Sequence, residues 1–218
     1  VVSDYGKGYL NKQRVRLIEL AQQAGVPVFV DCKAAVLDQY DGATGIKINM
    51  PNAVAFAQSS RDKAVVVDYA HRNMQPAVTV VTCGADGARW CLEDHREHSR
   101  FELAHHGGNA VGAGDAFFAG FVTWLLMAPS LSGMTPALVR DALLFGHVVA
   151  VEKLRTVVPS LSPAKALATF CRERARDSVK NKIMPAAAFA AFARACRAAG
   201  DAVVFTNGCF DVFHAGHL

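Results

Sequence analysis

A glycine-rich segment followed by an aspartate is the part of this sequence whose residue types most directly suggest chemistry. Gly112, Ala113 and Gly114 stand immediately before Asp115, and an apolar run that predicts a buried helix follows at residues 116–127. The first turn of a helix offers free backbone N–H groups and the positive end of the helix dipole, so anions bind there. A carboxylate at the same point can accept the proton of an attacking hydroxyl. The segment therefore predicts a phosphoryl-transfer site, with Asp115 as general base and the preceding amides as an anion hole.

The same segment could also be an ordinary helix with an acidic first turn, or one of two widespread phosphate-binding motifs. No Gly-x4-Gly-Lys-Ser/Thr pattern occurs, which excludes a P-loop. No third glycine follows Gly114 at the spacing of a dinucleotide-binding fingerprint. From the residues alone, the ordinary helix and the phosphoryl-transfer site are about equally favoured.

A second pattern of polar and glycine residues lies at the end of the sequence, directly after a predicted strand at 202–206. Its candidate nucleotide-binding residues are Thr206, Asn207, Gly208, Phe210, Asp211, His214, Gly216 and His217. Two imidazoles one helical turn apart can donate to the same phosphate oxygens at a helix start. A metal site is less favoured, because no third ligand stands nearby, and incidental surface histidines are the other alternative. The remaining histidines without a partner pattern, predicted on loops or at the surface, include His95, His98, His105 and His106.

Composition and charge argue against several classes of partner. The chain of 218 residues is 52% hydrophobic and 19% charged, which is typical of a folded domain with a buried core. The net charge is only +4, and the arginines at 172, 174 and 176 fit a solvated helix face better than a nucleic-acid patch. The longest apolar run, residues 117–128, is shorter than the roughly 18 residues of a membrane span. We therefore expect neither a nucleic-acid nor a membrane partner.

Cysteine usage favours a reducing compartment. None of the six cysteines forms a Cys-x-x-Cys pair, and several stand in apolar runs, where cysteine packs as a small hydrophobic residue. This pattern predicts free thiols and a cytoplasmic location.

Alternating short β-branched runs and helical stretches must position these residues. Strands are predicted at 1–3, 26–30, 46–48, 77–82 and 88–92, and helices at 11–24, part of 54–69, 116–127, 136–154 and 162–176. The last two strands suggest a hairpin, and the β-α-β rhythm before them predicts an α/β domain with a mostly parallel sheet. Ligands of such sheets bind beyond the carboxyl ends of the strands, where Asp4, Asp31, Asn49, Asn52 and Gly84 fall.

The segment from Asn109 to Ala119 resembles the carboxyl-terminal signature of the ribokinase-like (PfkB) carbohydrate kinases, with Ala110 in place of the usual hydroxyl residue. The resemblance implies a ribokinase-like fold, ATP and Mg2+ as cofactors, and Asp115 as catalytic base. It also implies that the amides of residues 112–114 form the anion hole. It makes Asn109 a candidate ATP-binding residue as well. The segment Thr82–Gly87 resembles the Thr-x-Gly-x-x-Gly segment that lines the ATP site in the same family, so Thr82, Gly84 and Gly87 are further candidates. From the residues alone, an ordinary hairpin turn is the favoured interpretation of this segment.

The segment at Asn52 resembles the Asn-x-x-Glu motif of the same family, which is tied to magnesium and nucleotide phosphates. The resemblance makes Asn52, Ala53, Val54 and Ala55 candidates for the ATP side of the site. Ala55 stands where the family carries glutamate, so a metal-linked carboxylate is missing. No set of metal-ligating side chains is predicted.

Two segments resemble heptose 7-phosphate kinases: Ser3 to Gly8 matches Ser-Asp-Tyr-x-Lys-Gly, and Asp31 to Lys33 matches Asp-Pro-Lys with cysteine in place of proline. The candidate residues for the sugar-phosphate or nucleotide are Asp4, Lys7, Asp31 and Lys33. The positive charges of Lys7 and Lys33 suit a phosphorylated ligand. The alternative is solvated lysines at strand ends.

Residues 206–217 resemble the opening motif of the cytidylyltransferase-like nucleotidyltransferases. A kinase signature followed by this motif resembles the bifunctional heptose 7-phosphate kinase / heptose 1-phosphate adenylyltransferase family. The implied domains are residues 1–160, the carboxyl-terminal part of a ribokinase-like kinase, and residues 181–218, the first strand and loop of a Rossmann-like nucleotidyltransferase. A helix and linker at 161–180 would connect them.

The implied activity is ATP-dependent phosphorylation of the anomeric hydroxyl of a heptose 7-phosphate. Adenylyl transfer onto the 1-phosphate would follow, in ADP-heptose synthesis for lipopolysaccharide core; the residues themselves do not separate ATP from CTP in the second domain. The expected partners are a sugar-phosphate and ATP, with a homodimer left open. Another PfkB kinase with an unrelated tail and an inactive nucleotide-binding fragment are the alternatives. Both ends of the chain look truncated, so little activity is expected of this piece alone.

Overall fold

The structure is a computed structural model. It describes residues 1–11, 13–58, 63–101, 111–128, 130–131, 133–155, 165–171, 173–174 and 194. The chain divides into two compact units, Val1–Phe170 and Cys171–Leu218. Nearly all described residues belong to the first unit, and the elements below are those of that unit.

The first unit is built on a six-stranded sheet whose spatial order follows the chain. The strands are β1 Val2–Asp4, β2 Phe29–Cys32, β3 Gly45–Asn49, β4 Val78–Thr82, β5 Ala88–Leu92 and β6 His95–Ser99. Strands β1 to β4 pair in parallel, and β5 and β6 continue the sheet as antiparallel neighbours. The predicted mostly parallel sheet and the predicted hairpin are both confirmed.

Helices follow the strands and cover both faces of the sheet. They are α1 Arg14–Gln23, α2 Met50–Ala57, α3 Lys63–Met74, α4 Ala113–Leu126 and α5 Pro136–Arg155, with 3-10 helices at Ala34–Tyr40 and Gly84–Asp86. Residues 165–170 are also helical. None of the helices in the described ranges is long and apolar enough to cross a membrane.

The strand residues alternate between two cores, as the pleat of a strand requires. Ile46 and Ile48 of β3 pack on one side of the sheet, in a cluster that includes Val66 of α3. Val80 of β4 packs on the other side, in a cluster that includes Phe121 of α4. Helices α4 and α5 therefore lie on the face opposite α2 and α3.

Strand β6 is absent from the predicted elements, so a loop position for His95 and His98 is wrong, whereas both side chains are partly exposed, as the surface alternative expects. Both lie in β6, where the His95 ring packs 4.9 Å from the Trp90 ring and His98 bonds to the Asp86 carbonyl. The run His-Arg-Glu-His-Ser has no apolar alternation, so it gives no strand signal in the sequence. The strand forms because its backbone pairs with β5, although the local sequence pattern does not predict it. His105 and His106 lie outside the described residues.

Free thiols are confirmed for Cys32, Cys83, Cys91 and Cys171, the cysteines in the described part of the chain. Burial raises the pKa of the Cys32 and Cys91 thiols to about 12, so both are inert at neutral pH. Residues 175–193 and 195–218, which include the predicted strand at 202–206, lie outside the described residues, and the proposed domain boundaries stay predictions.

Candidate active site

The glycine-rich segment forms the start of helix α4, as predicted. Gly112 caps the helix with a φ of +78°, a left-handed conformation that glycine adopts without strain. Ala113, Gly114 and Asp115 form the first turn of the helix, whose backbone N–H groups have no partner within the helix. An anion can approach this turn closely, because two of its residues carry no side chain.

Asp115 projects from this first turn toward the end of strand β1. Its two carboxylate oxygens accept hydrogen bonds from the Tyr5 hydroxyl at 2.6 Å and the Ser3 hydroxyl at 3.3 Å. The bond to Asp115, together with partial burial, raises the pKa of the Tyr5 phenol. The carboxylate therefore already receives hydroxyl donors, which is the geometry that a general base needs toward a substrate hydroxyl.

A buried ion pair lies beside the same turn. Asp31 of β2 and Lys47 of β3 are paired in the sheet, and their side chains meet at 2.6 Å. The Lys47 side chain is only 5% exposed. Burial raises the pKa of the Asp31 carboxyl, and the ammonium of Lys47 opposes that rise. A Cβ built on Gly114 would lie 3.2 Å from the Lys47 Nζ, so the ammonium lies directly against the anion hole.

Asp4, a predicted ligand-side residue, has its carboxylate occupied by the protein. Arg14 donates to it at 2.6 Å, the Tyr40 hydroxyl at 2.7 Å and the Gly6 amide at 2.8 Å. Burial works against ionisation, but these hydrogen bonds outweigh it and lower the pKa of Asp4. The arrangement anchors the turn that carries Tyr5, and a direct contact with ligand stays a prediction.

The two lysines predicted for the phosphorylated ligand lie differently. Lys33 is exposed at the rim of the cavity, with its Nζ 5.8 Å from the centre of the Tyr5 ring. Lys7 is exposed in the turn after β1 and is not among the described residues that line the cavity. Of these two lysines, the fold thus brings Lys33 next to Asp115.

Asn49 and Asn52 shape the junction between β3 and α2. The Asn49 side chain caps α2 by accepting from the Asn52 amide at 3.0 Å, and it also accepts from the Asn52 side chain at 2.6 Å. The cap is typical of asparagine at a helix start. Ala53 is fully buried in the core, whereas Val54 and Ala55 are exposed on α2. Ala53 therefore supports the helix, and a nucleotide contact by its side chain is not provided by this geometry.

The segment from Thr82 to Gly87 lies at the same edge of the sheet. Thr82 ends β4 and is paired with Asn49 of β3, and Gly84 follows it with a φ of +63°. Gly87 is buried, and a Cβ there would overlap the Ser99 carbonyl of β6. Gly87 is thus required by the hairpin itself, while Gly84 is exposed with open space around it.

These elements enclose a cavity of about 160 Å³. Its lining residues are Ser3, Asp4, Tyr5, Asp31, Cys32, Lys33, Lys47, Asn49, Asn52, Gly112, Gly114 and Asp115. A cavity of about 190 Å³ between α3 and the β5–β6 hairpin is lined by other residues, among them Asp68, Arg89 and Arg96. Of these two cavities, the first is the candidate active site, because it contains the helix start and its aspartate.

Four lining residues are not singled out from the sequence as candidates for ligand binding: Ser3, Tyr5, Cys32 and Lys47. Ser3 and Tyr5 stand in the turn motif Ser3–Gly8, but only the fold brings them to Asp115 across more than 100 residues. Lys47 interrupts the apolar run of a buried strand, and a lysine there must be paired. A lysine inside an apolar strand could therefore have identified Lys47 as a candidate site residue from the sequence.

No group of three or more histidine, cysteine, aspartate or glutamate side chains in the described ranges is arranged to hold a metal ion. The exposed Ala55 supplies no carboxylate. Kinases commonly hold Mg2+ through one or two carboxylates together with substrate phosphates. At the cavity, Asp115 is an exposed carboxylate, whereas the Asn52 side-chain oxygen already accepts from the Ala34 amide at 3.3 Å. Asn109 and the eight candidates from Thr206 to His217 lie outside the described residues.

Comparison with known proteins agrees with this geometry. The family model described as pfkB family carbohydrate kinase matches residues 12–163. The chain is 33% identical over its whole length to the bifunctional protein HldE of Aeromonas hydrophila and 30% identical to that of Stutzerimonas stutzeri. It spans 44% of the length of each of these relatives.

Solved structures show the same fold at lower identity. Phosphofructokinase-2 from Escherichia coli, in complex with substrates and products, superposes with a TM-score of 0.64 at 16% identity. The match covers 79% of this chain and 56% of that one. Aminoimidazole riboside kinase from Salmonella enterica, complexed with aminoimidazole riboside and an ATP analogue, gives 0.62 at 18% identity, covering 72% of this chain and 56% of that one.

Proposed function

Because the chain belongs to the pfkB family of carbohydrate kinases, we propose that its cavity is the phosphoryl-transfer site for a heptose 7-phosphate, with ATP as donor. One observation carries the proposal. The Asp115 carboxylate lies in the first turn of α4, beside free amides, and receives hydroxyl hydrogen bonds from Ser3 in β1 and from Tyr5 in the turn after it. A base and an anion-binding helix start thus meet in one cavity.

In the proposed reaction, the anomeric hydroxyl of the sugar replaces the Tyr5 and Ser3 hydroxyls as the donor to Asp115. Asp115 takes the proton as the hydroxyl oxygen bonds to the terminal phosphorus, and the bond from that phosphorus to the leaving oxygen of ADP breaks. The amides at the start of α4 stabilise the charge on the transferring group. Magnesium, when bound together with the nucleotide, would supply further charge neutralisation.

The sugar-phosphate assignment is supported by the turn Ser3–Gly8, by Lys33 at the cavity rim and by the HldE relatives. Lys33 is placed to meet a phosphate at the cavity mouth, and Lys7 stays a candidate for the same group. Arginine and lysine are the usual partners of phosphate.

A second activity is proposed for the end of the chain, on sequence alone. The motif Thr206–His217 would bind a nucleoside triphosphate and transfer its adenylyl group to the sugar 1-phosphate, yielding an ADP-heptose for lipopolysaccharide core. The relatives' description as bifunctional supports this proposal, and a homodimer is the assembly proposed for the whole protein.

The test is an ADP-release assay on the full-length protein with a panel of sugar phosphates. We expect heptose 7-phosphate to be the preferred substrate, and Asp115→Asn to lower kcat by about 10²–10⁴-fold, the usual contribution of a general base. Asp38→Asn, an exposed carboxylate on the first 3-10 helix, is the matched control. Near-parental turnover by Asp115→Asn would refute the assignment of the base.

A further inference from the structure

Lys47 is a charged residue placed where an apolar one is the norm. It stands between Ile46 and Ile48 in β3 and is 4% exposed. Those two isoleucines pack into the core on the α2 and α3 side, and the Lys47 ammonium lies instead beside the start of α4. Burying an ammonium is costly unless it is paired, and Asp31 pairs with it at 2.6 Å. A core role alone would be served by an apolar residue at this position.

The Lys47 ammonium lies beside the backbone amides that form the anion hole. Its Nζ would lie 3.2 Å from a Cβ on Gly114, and both residues line the cavity that contains Asp115. An anion held by the first-turn amides of α4 would therefore be within direct reach of Nζ. The absence of a side chain at Gly114 is what keeps this approach open.

The charges around the cavity require a cation at this point. Asp31 and Asp115 contribute two carboxylates, and their mutual repulsion helps to raise the pKa of Asp31. A nucleoside triphosphate would bring further negative charge. Among the described residues, Asp31 is the hydrogen-bond partner of Lys47, and an ammonium has three donors. Two donors can thus serve a ligand while the ion pair persists.

We propose that Lys47 contacts the terminal phosphoryl group of the nucleoside triphosphate and remains anchored to Asp31. In the transfer step, the sugar oxygen bonds to the terminal phosphorus as its proton passes to Asp115, and the bond to the ADP oxygen breaks. The Lys47 ammonium neutralises charge on the transferring group during this step. This inference rests on the proposed kinase function.

Calorimetric titration of the 218-residue chain with ATP and with ADP, in the presence of Mg2+, tests the contact. For Lys47→Met, we expect ATP affinity to fall about tenfold to a hundredfold, as for loss of a charged hydrogen bond, with ADP affinity nearly unchanged. Arg16→Met, which removes an exposed positive charge on α1, should leave both affinities unchanged. Equal ATP affinity in Lys47→Met and the parent would overturn the proposal.

The double variant Asp31→Asn with Lys47→Met separates a phosphate contact from mere neutralisation of Asp31. It removes both charges and leaves no buried carboxylate unpaired at this position. If Lys47 contacts the phosphoryl group, the double variant binds ATP as weakly as Lys47→Met and still binds ADP. Recovery of parental ATP affinity would show that Lys47 serves only Asp31. Failure of the parent chain to bind ATP would refute the proposed kinase site, whereas ATP binding by the parent with equal affinity in Lys47→Met would refute the Lys47 contact alone.

Discussion

At the scale of single residues, the site depends on carboxylates whose surroundings differ. Asp115 is exposed in its cavity and accepts from two hydroxyls, which the substrate hydroxyl is proposed to replace. Asp4 is buried and fully occupied by Arg14, Tyr40 and the Gly6 amide. Two aspartates at the same edge of the sheet therefore have separate tasks, one proposed for the reaction and one in holding the turn.

The carboxylate missing at position 55 leads to a prediction for magnesium. Ala55 is exposed on α2, so glutamate fits there without disturbing the core. Restoring it would add an oxygen ligand for Mg2+ near the nucleotide phosphates. We expect Ala55→Glu in the full-length protein to lower the magnesium concentration needed for half-maximal ADP release. If the magnesium titrations of the parent and of Ala55→Glu superimpose, the predicted role of this position is contradicted. The control is Gln58→Glu, which adds a carboxylate at an exposed position at the end of the same helix.

The Asp4 ion pair leads to a prediction for stability against pH. Asp4→Asn leaves the buried Arg14 without its partner charge, which we expect to cost about 3–5 kcal/mol of unfolding free energy at neutral pH. Because the folded pKa of Asp4 is lowered, its contribution is fully present above the unfolded value of about 3.9 and is lost as pH falls through the folded value. The difference between parent and variant should therefore stay constant from about pH 5 to 8 and narrow below about pH 4.

Denaturant unfolding at each pH measures this difference. Glu19→Gln, in an exposed pair with Arg16, should change stability by less than about 1 kcal/mol at any pH. A parent–variant difference that grows toward low pH would contradict the assigned sign.

At the scale of elements, the position of Asp115 depends on how closely α4 packs against α5. Gly120 of α4 and Gly146 of α5 lie at the crossing, and a Cβ on Gly146 would come within 2.7 Å of the Phe117 carbonyl. Small residues let the two helices approach, and α4 is the helix whose first turn carries the anion hole. The crossing therefore sets the distance from the helix start to the sheet.

At this helix crossing, we expect a glycine-to-alanine substitution to lower the stability of the protein, which is the opposite of its usual effect in a helix. In an open helix, Gly→Ala stabilises by about 1 kcal/mol. At position 146 we expect Gly146→Ala to destabilise by about 1–3 kcal/mol, because the added methyl group overpacks the contact with Phe117. Gly133→Ala, with open space around the new Cβ, is the control and should be near neutral. Thermal unfolding of both variants measures the effect, and stabilisation by Gly146→Ala would disprove the packing argument.

At the scale of the whole molecule, the cavity at Asp115 is one part of a larger proposed catalytic unit. The chain spans 44% of the length of its HldE relatives, and strand β1, next to the cavity, has one sheet neighbour among the described residues. We therefore expect the 218-residue chain to show ADP release near the background of the assay with heptose 7-phosphate and ATP. The full-length protein assayed beside it is the reference. Robust turnover by the chain alone would show that the described cavity is sufficient.

The sequence by itself determined the fold class and pointed to the chemistry of the site. Alternating strand and helix patterns predicted the parallel sheet, and Gly112–Asp115 predicted an anion-binding helix start with a base, because both depend on residues close together in the chain. The ends of elements were less well predicted: β2 begins at Phe29, past the proline at 27, and not at residue 26. Proline lacks the N–H that a strand interior uses.

Only the tertiary structure decided which distant residues meet at Asp115. Tyr5 and Ser3 reach it across more than 100 residues, and Lys47 reaches the helix start through its pairing with Asp31 on a neighbouring strand. Strand β6 likewise exists through its pairing with β5, since its polar sequence carries no periodic signal. Such contacts depend on sheet order and helix packing, which no local pattern encodes. The physical reason is that local propensity acts over a few residues, whereas burial and ion pairing act between elements that only the fold brings together.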